Sequence, residues 1–142
     1  MKASTRHLII GMVIALIATG IAVGYYLYNK PHENIMHAKA AHSLQATRLA
    51  AEFEADEQAA NEQYLGKVLE VSGQVANTAV DSDGLVTITF VSDNPLSGVI
   101  CELDIHSSHP RVDFDENELI TVKGICTGYL MDVVMTRCVE IQ

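Results

Sequence analysis

The hydrophobic positions of this chain fall into three successive regimes. Leu8 to Tyr28 is an unbroken run of 21 uncharged residues rich in Ile, Val, Leu and Ala. As a helix rising ~1.5 Å per residue it reaches ~30 Å, the thickness of a bilayer hydrocarbon core. From Pro31 to Leu65 the composition shifts to Ala, Glu, Gln and Asn, with nine Ala between residues 38 and 60. That favours helix and offers little to bury, which predicts a helical stalk. Leu49, Phe53, Ala60 and Tyr64 fall within ~60° of one another on a helical wheel, so one narrow stripe of the stalk is able to dock on the C-terminal domain. Asp56, followed by Glu57 and Ala-rich sequence, is suited to N-cap a second helix and divide the segment. After Gly66 the apolar period changes from helical to alternating, predicting strands over 67–80, 85–91, 98–104, 118–127 and 132–141.

Punctuation supports this division. Asp81-Ser82-Asp83-Gly84 is a turn signal between the first two strands, and Asp93-Asn94-Pro95 with Gly98 separates the second from the third. Gly73 and Gly124, inside the first and fourth strands, mark a bulge or tight bend. Five short coiled strands with their longest connection, 105–117, between the third and fourth predict an all-β OB-fold, a five-stranded Greek-key barrel. The expected organisation is a cytoplasmic stub at 1–7, a transmembrane helix at 8–28, a helical stalk at 29–63 and the OB-fold domain at 64–142. The apolar run exceeds the ~7–15 residues of a secretory signal and ends in Tyr25, Tyr26, Tyr28 and Lys30, an interfacial belt and anchor. An uncleaved signal-anchor is therefore expected. Lys2, Arg6 and His7 flank its start and all acidic residues follow residue 31. The positive-inside rule then gives a single-pass protein of the cytoplasmic (inner) membrane with its C-terminal domain outside. Gly20 and Gly24 form a small-xxx-small pair of the kind that lets two such helices approach. No Cys precedes Cys101, so an N-terminal lipoprotein anchor is not expected.

Charge and chemistry narrow the function. The chain of 142 residues carries nine Lys and Arg against eighteen Asp and Glu, and residues 64–142 alone hold four basic and twelve acidic residues, net −8. A single-strand nucleic-acid groove needs positive charge and stacking aromatics, so no nucleic-acid partner is expected. No paired titratable groups, G-x-S-x-G elbow, P-loop or dinucleotide fingerprint is present, and no enzyme is expected. The cysteines lack C-x-x-C spacing. Cys101 alternates with Val99 and Leu103, and Cys126 with Val122 and Ile120, so both face inward. In an oxidising compartment a Cys101–Cys126 disulfide is one option, a bridge using Cys138 is another, and buried free thiols are a third. His32, His37 and His42 recur every five residues and do not gather on one helix face. His106 and His109 sit in the irregular loop near Asp104 and Asp113, which reads as a solvated loop, and Asp81–Gly84 lacks the calcium-loop spacing. No metal or cofactor is expected.

The segments Tyr64-Leu65-Gly66-Lys67-Val68-Leu69-Glu70-Val71-Ser72-Gly73-Gln74-Val75, Gly98-Val99-Ile100-Cys101 and Val122-Lys123-Gly124-Ile125-Cys126-Thr127-Gly128 resemble the tRNA_anti-like family of small bacterial OB-fold proteins. Ala55-Asp56-Glu57 through Tyr64 and Tyr129-Leu130-Met131-Asp132-Val133-Val134 extend the resemblance over roughly residues 53–141. It implies the OB fold and a bacterial envelope setting, the periplasm, without implying an activity. The sequence thus points to a membrane-anchored binding or interaction module whose partner is an envelope protein or small ligand. The alternative is a haem- or metal-type carrier or chaperone, although no His follows His109 to supply a haem ligand. OB barrels usually bind on the face of their second and third strands. The candidate binding residues are accordingly Thr87, Thr89, Glu102 and Asp104, with the 105–117 loop.

Overall fold

The computed structural model describes residues 3–29, 35–109 and 111–141, with side chains from His7 onward. Lys2, Lys30, Pro31, His32 and Pro110 lie outside the described residues, as does the side chain of Arg6. The chain divides into two compact units, residues 1–33 and 34–142.

The first unit holds α1, Ala3–Tyr28, in which His7–Tyr28 is long and apolar enough to cross a membrane. Its described side chains are all exposed, so its apolar surface has no protein partner in this unit. Thr19 bonds back to the carbonyl of Ala15 at 2.8 Å, satisfying its hydroxyl inside the helix.

The second unit contains β1 (His42–Gln45), α2 (Ala46–Ala55), α3 (Glu57–Tyr64), β2 (Val68–Val80), β3 (Val86–Phe90), β4 (Val99–Leu103), β5 (Leu119–Tyr129) and β6 (Val133–Ile141). All five expected barrel strands are present. The long strand β2 closes the barrel, because its first half pairs antiparallel with β5, Val68 opposite Ile125 through Gln74 opposite Leu119. Its second half pairs antiparallel with β3, Val75 opposite Phe90 through Val80 opposite Val86. Next β3 pairs antiparallel with β4, β4 parallel with β6, and β6 antiparallel with β5, which completes the five-stranded OB barrel. Val86, Ile88 and Phe90 point inward from β3 and Val99, Cys101 and Leu103 from β4, as their alternation predicts.

The described part of the expected stalk is not free-standing. Residues 42–45 form a strand that pairs parallel with Leu69–Ser72. The helices α2 and α3 bury Ala46, Leu49, Ala50, Phe53, Ala60 and Tyr64 in the same core as the barrel. The expected docking stripe of Leu49, Phe53, Ala60 and Tyr64 is therefore real. Phe53 carries most of it, lying 5.6 Å from Tyr129 in a stacked pair and 6.1 Å from Tyr64. Asp56 caps α3 as expected, its carboxylate accepting from the Ala59 N–H at 3.0 Å.

The two strand glycines serve close approach. A Cβ on Gly73 would lie 2.8 Å from Phe90 Cδ1 and 2.9 Å from the Ala46 Cβ, so β2 passes under the start of α2 only without a side chain there. The register shift of β2 itself comes later, between Val75 and Asn77. At Gly124 the glycine and a bulge coincide, since the β5–β6 register shifts between Lys123 and Ile125. A Cβ there would strike Cys138 Sγ and stand 3.1 Å from the Thr136 carbonyl oxygen. Gly124→Ala is expected to cost ~1–3 kcal/mol of stability by overpacking. Part of that loss should return in the Gly124→Ala, Cys138→Ala double variant, measured by chemical denaturation, because the backbone contact remains after the thiol is removed.

Candidate functional site

The four residues expected to bind do not form one set. Thr87, Thr89 and Glu102 are half-buried on the outer wall of the barrel, alternating with the inward side chains of β3 and β4. Thr87 stands opposite Glu102, and Thr89 opposite Ile100, which in turn stands opposite Val134 of β6. Two rungs result across neighbouring strands, one a hydroxyl beside a carboxylate and the other a hydroxyl beside two β-branched apolar residues.

Asp104 is corrected away from this face. It is 5% exposed and folds the chain back after β4. Its carboxylate accepts from the His106 N–H at 3.0 Å and from the Ser107 hydroxyl at 3.0 Å, with Arg137 Nε at 3.8 Å. The Asp104 carbonyl meets His109 Nε2 at 2.7 Å. Burial pushes the Asp104 carboxyl up, but the hydrogen bonds and the Arg137 charge outweigh it and hold the group below the ordinary carboxylate range. His106 and His109 are thus engaged in the turn that Asp104 organises. Among the described residues no group of three or more His, Cys, Asp or Glu is placed to hold a metal.

The Cys101–Cys126 bridge is also corrected. All three cysteines are free and buried. Cys101 and Cys126 both stand opposite Met135, one from each side, so β6 separates them. Two interstrand spacings are ~10 Å, beyond the ~7 Å within which Cα atoms can be bridged. The Cys101 thiol instead contacts Met135 Sδ at 3.9 Å. Cys138 reaches the interior through a kink, with Arg137 at φ 54 and both Cys138 and Val139 buried in succession. Burial raises the Cys126 and Cys138 thiols above their ordinary value, which leaves them protonated and poorly reactive.

The feature that sequence reasoning missed is a groove of about 350 Å³ at one end of the wall. Thr89, Ser92, Asn94, Ser97 and Asp132 line it, with Leu96 at 76% exposure beside them. The 91–98 loop is fixed by α2, because Glu54 accepts from the Ser97 hydroxyl and from Asn94 Nδ2, the latter at 3.1 Å. Asn94 Oδ1 in turn accepts from the Leu96 N–H at 3.0 Å. The loop signals Asp93-Asn94-Pro95 and Gly98 announced a break, but nothing local revealed that a glutamate forty residues earlier would brace it.

On the other side of α2, Tyr64 donates to Glu52 and accepts from Gln63 Nε2 at 2.8 Å, while Arg48 Nε holds Glu52 at 2.8 Å. Burial first, then the bond to Glu52, pushes the phenol up to about 12. A phenol so raised donates and does not ionise, so the group ties α2 to α3. Tyr64, Phe90 and Phe114 are buried and unavailable for stacking on a base.

The chain belongs to the tRNA_anti-like family, whose model matches residues 1–140. No curated protein matches the chain. A solved structure from Klebsiella pneumoniae, described as a "putative nucleic acid-binding lipoprotein", superposes with a TM-score of 0.57 at 14% identity. The match covers 70% of this chain and 91% of that one, and it supports the fold.

Because the folded Asp104 pKa is depressed, its contribution is present above the unfolded value near ~3.9 and is lost as pH falls through the folded value. Asp104→Asn is expected to lower stability by ~1–3 kcal/mol at neutral pH. The deficit should be smaller near about pH 3, below the unfolded value, where the unfolded carboxyl takes up a proton ahead of the folded one and the contribution is being lost. Denaturant melts of both proteins at the two pH values check this, and an equal deficit at both would remove the ionised group from the account.

Proposed function

We propose that this chain is a membrane-anchored, extracytoplasmic OB-fold module of the bacterial envelope that acts by non-covalent recognition and not by catalysis. The observation that carries this reading is the pairing of a helix, α1, whose stretch His7–Tyr28 is long and apolar enough to cross a membrane, with an acidic barrel in the same chain. The anchor fixes where the barrel works and the barrel supplies a surface. Membership of the tRNA_anti-like family supports an OB-type binding role. The working surface is the outer wall of Thr87, Thr89, Ile100 and Glu102 with the groove beside Thr89. The partner is an envelope protein that offers an extended, polar and partly basic segment.

Nucleic acid, the ligand in the neighbour's description, is disfavoured for this chain. The barrel is net −8, and three of its aromatics are inside the core. Carriage of a small polar ligand in the groove is the alternative, supported by its hydroxyl and amide lining.

Two measurements test the reading. A phosphatase joined after the last residue should be active, as an enzyme that folds only outside the cytoplasm, and an inactive fusion would place the barrel inside and end the proposal. In-cell crosslinking of the tagged full chain should recover one recurrent envelope protein, and Thr87→Lys with Glu102→Lys should abolish that recovery while leaving the thermal melt unchanged. Recovery that survives the double variant would move the binding surface elsewhere.

A further inference from the structure

The hairpin joining β5 to β6 and the groove beside Thr89 are parts of one surface. Tyr129 pairs with Val133, so Leu130, Met131 and Asp132 form the hairpin tip. The Leu130 N–H closes the tip on the Asp132 carbonyl at 3.1 Å. The Val133 N–H bonds the Gly98 carbonyl at 2.9 Å, which ties the tip to the end of the 91–98 loop. Asp132 from the hairpin and Leu96 from the loop therefore line the same groove.

This surface combines exposed apolar side chains with a carboxylate that has no partner. Leu130 is 86% and Met131 67% exposed, and Leu96 is exposed on its loop. Met131 has φ 145, a conformation that favours glycine, so the chain holds a large apolar side chain outward on a constrained backbone. The groove's other polar side chains are engaged. Ser97 and Asn94 bond Glu54, and the Ser92 hydroxyl accepts from the Asn94 N–H at 3.3 Å. Asp132 is half-buried, and among the described residues its carboxylate has no hydrogen bond or ion pair. It is free to pair with a donor that enters the groove.

The surroundings fix the sign of that donor. Phe53 stacks on Tyr129 and Glu54 braces the loop, so α2 and α3 flank this end of the barrel. They bring the exposed Asp56, Glu57 and Glu62, and the loop adds the exposed Asp93. The cations here are already engaged, Arg48 with Glu52 and Lys67 with the Gln63 carbonyl. A second copy would set the same carboxylates against one another, and like charges oppose that contact. A lipid surface would have to desolvate them at a large cost. A cationic segment is drawn in by the same field. An apolar side chain beside its charge gains further by covering Leu96, Leu130 and Met131.

We propose that the groove and the hairpin tip dock a segment of a partner protein in which a Lys or Arg stands next to a bulky apolar residue. The cationic head enters the groove and pairs with Asp132, while the apolar side chain packs on Leu96, Leu130 and Met131. This deepens the recognition reading above and rests on it. The wall of Thr87, Thr89 and Glu102 takes the rest of the segment, and the hairpin adds an apolar anchor at its end.

The photo-crosslinking residue benzoylphenylalanine is placed at position 130 of the full chain in cells, and in separate chains at positions 87 and 80. The probe at 130 should join another protein, and mass spectrometry of the joined peptide should read a Lys or Arg adjacent to a bulky apolar residue. The probe at 80, on an exposed residue outside the groove, should not give that adduct. A synthetic copy of the peptide is then titrated onto the full chain in phosphatidylcholine nanodiscs. Asp132→Asn should weaken its binding roughly tenfold, the equivalent of ~1.4 kcal/mol, with the thermal melt unchanged. Once the peptide's own Lys or Arg is replaced by Gln, Asp132→Asn should have no further effect. An adduct with lipid, with a second copy, or with a peptide lacking a basic residue overturns the proposal. Binding that ignores Asp132→Asn overturns it too. If position 87 captures a protein and position 130 does not, the hairpin inference falls and the recognition reading stands. If neither position captures a protein, both fall.

Discussion

The structure depends on one strand being shared by two others. β2 gives its first half to β5 and its second half to β3, and the barrel exists only because a single strand bends enough to do both. Bending brings the backbone against its own contents. Gly73 yields space to Phe90 and Ala46, and Gly124 yields space to Cys138. The bulges in the β2–β3 and β5–β6 ladders absorb the residual twist. Closure in turn removes the exposed edges that make isolated sheets sticky.

Closing a small barrel leaves two open ends, and the chain treats them differently. One end is covered by α2 and α3, which lay Leu49, Phe53, Ala60 and Tyr64 over the interior and join the core of the strands. Phe53 is the pivot, because it touches Tyr64 from α3 and Tyr129 from β5 together. The other end is covered by the 105–117 loop, which buries Phe114 and is held by Arg111. That guanidinium bonds Glu140 at 2.7 Å and Glu118 at 2.6 Å and lies 4.6 Å over the Phe114 ring. The bonds to Glu140 and Glu118 hold Arg111 above its already high ordinary value, so the clasp keeps its charge throughout the working pH range. A helix pair closes one end by apolar burial, and an irregular loop closes the other by charge and one aromatic ring.

How much of this was legible in the sequence depends on the range of each determinant. The five barrel strands were legible because alternation is local, and the Asp56 cap and Asp81 turn because each is decided within four residues. The docking stripe was legible because a helical wheel needs no partner. The strand over 42–45 was not, since His-Ser-Leu-Gln has no strand composition and is held by its parallel neighbour Leu69–Ser72. Of the three options for the cysteines, the Cys101–Cys126 bridge was set aside for a different reason. Inward alternation placed Cys101 and Cys126 correctly in the interior, but only the strand order reveals that β6 lies between them. Asp104 misled because a carboxylate one residue beyond a strand looks available, and its capture by His106, Ser107 and Arg137 depends on a turn with no strong signature.

The same contrast explains why the fold is better determined than the ligand. The core is a set of mutual constraints in which Met135 is fixed by Cys101 on one side and Cys126 on the other, and a change at any one is felt by its neighbours. The outer wall carries no such constraint. Thr87, Thr89 and Glu102 answer to solvent and to whatever docks there. A charge of −8 spread over a rigid barrel therefore acts first on encounter, drawing basic surfaces and repelling phosphate backbones over about a Debye length. Among the short-range features that the fold holds still is the groove braced by Glu54. A loop fixed by a serine hydroxyl and a side-chain amide is pre-organised, so little ordering entropy is lost when a partner arrives. In this molecule the helix that plugs the barrel and the helix that shapes its groove are the same element, α2, so the packing that keeps the barrel closed also holds the groove in shape.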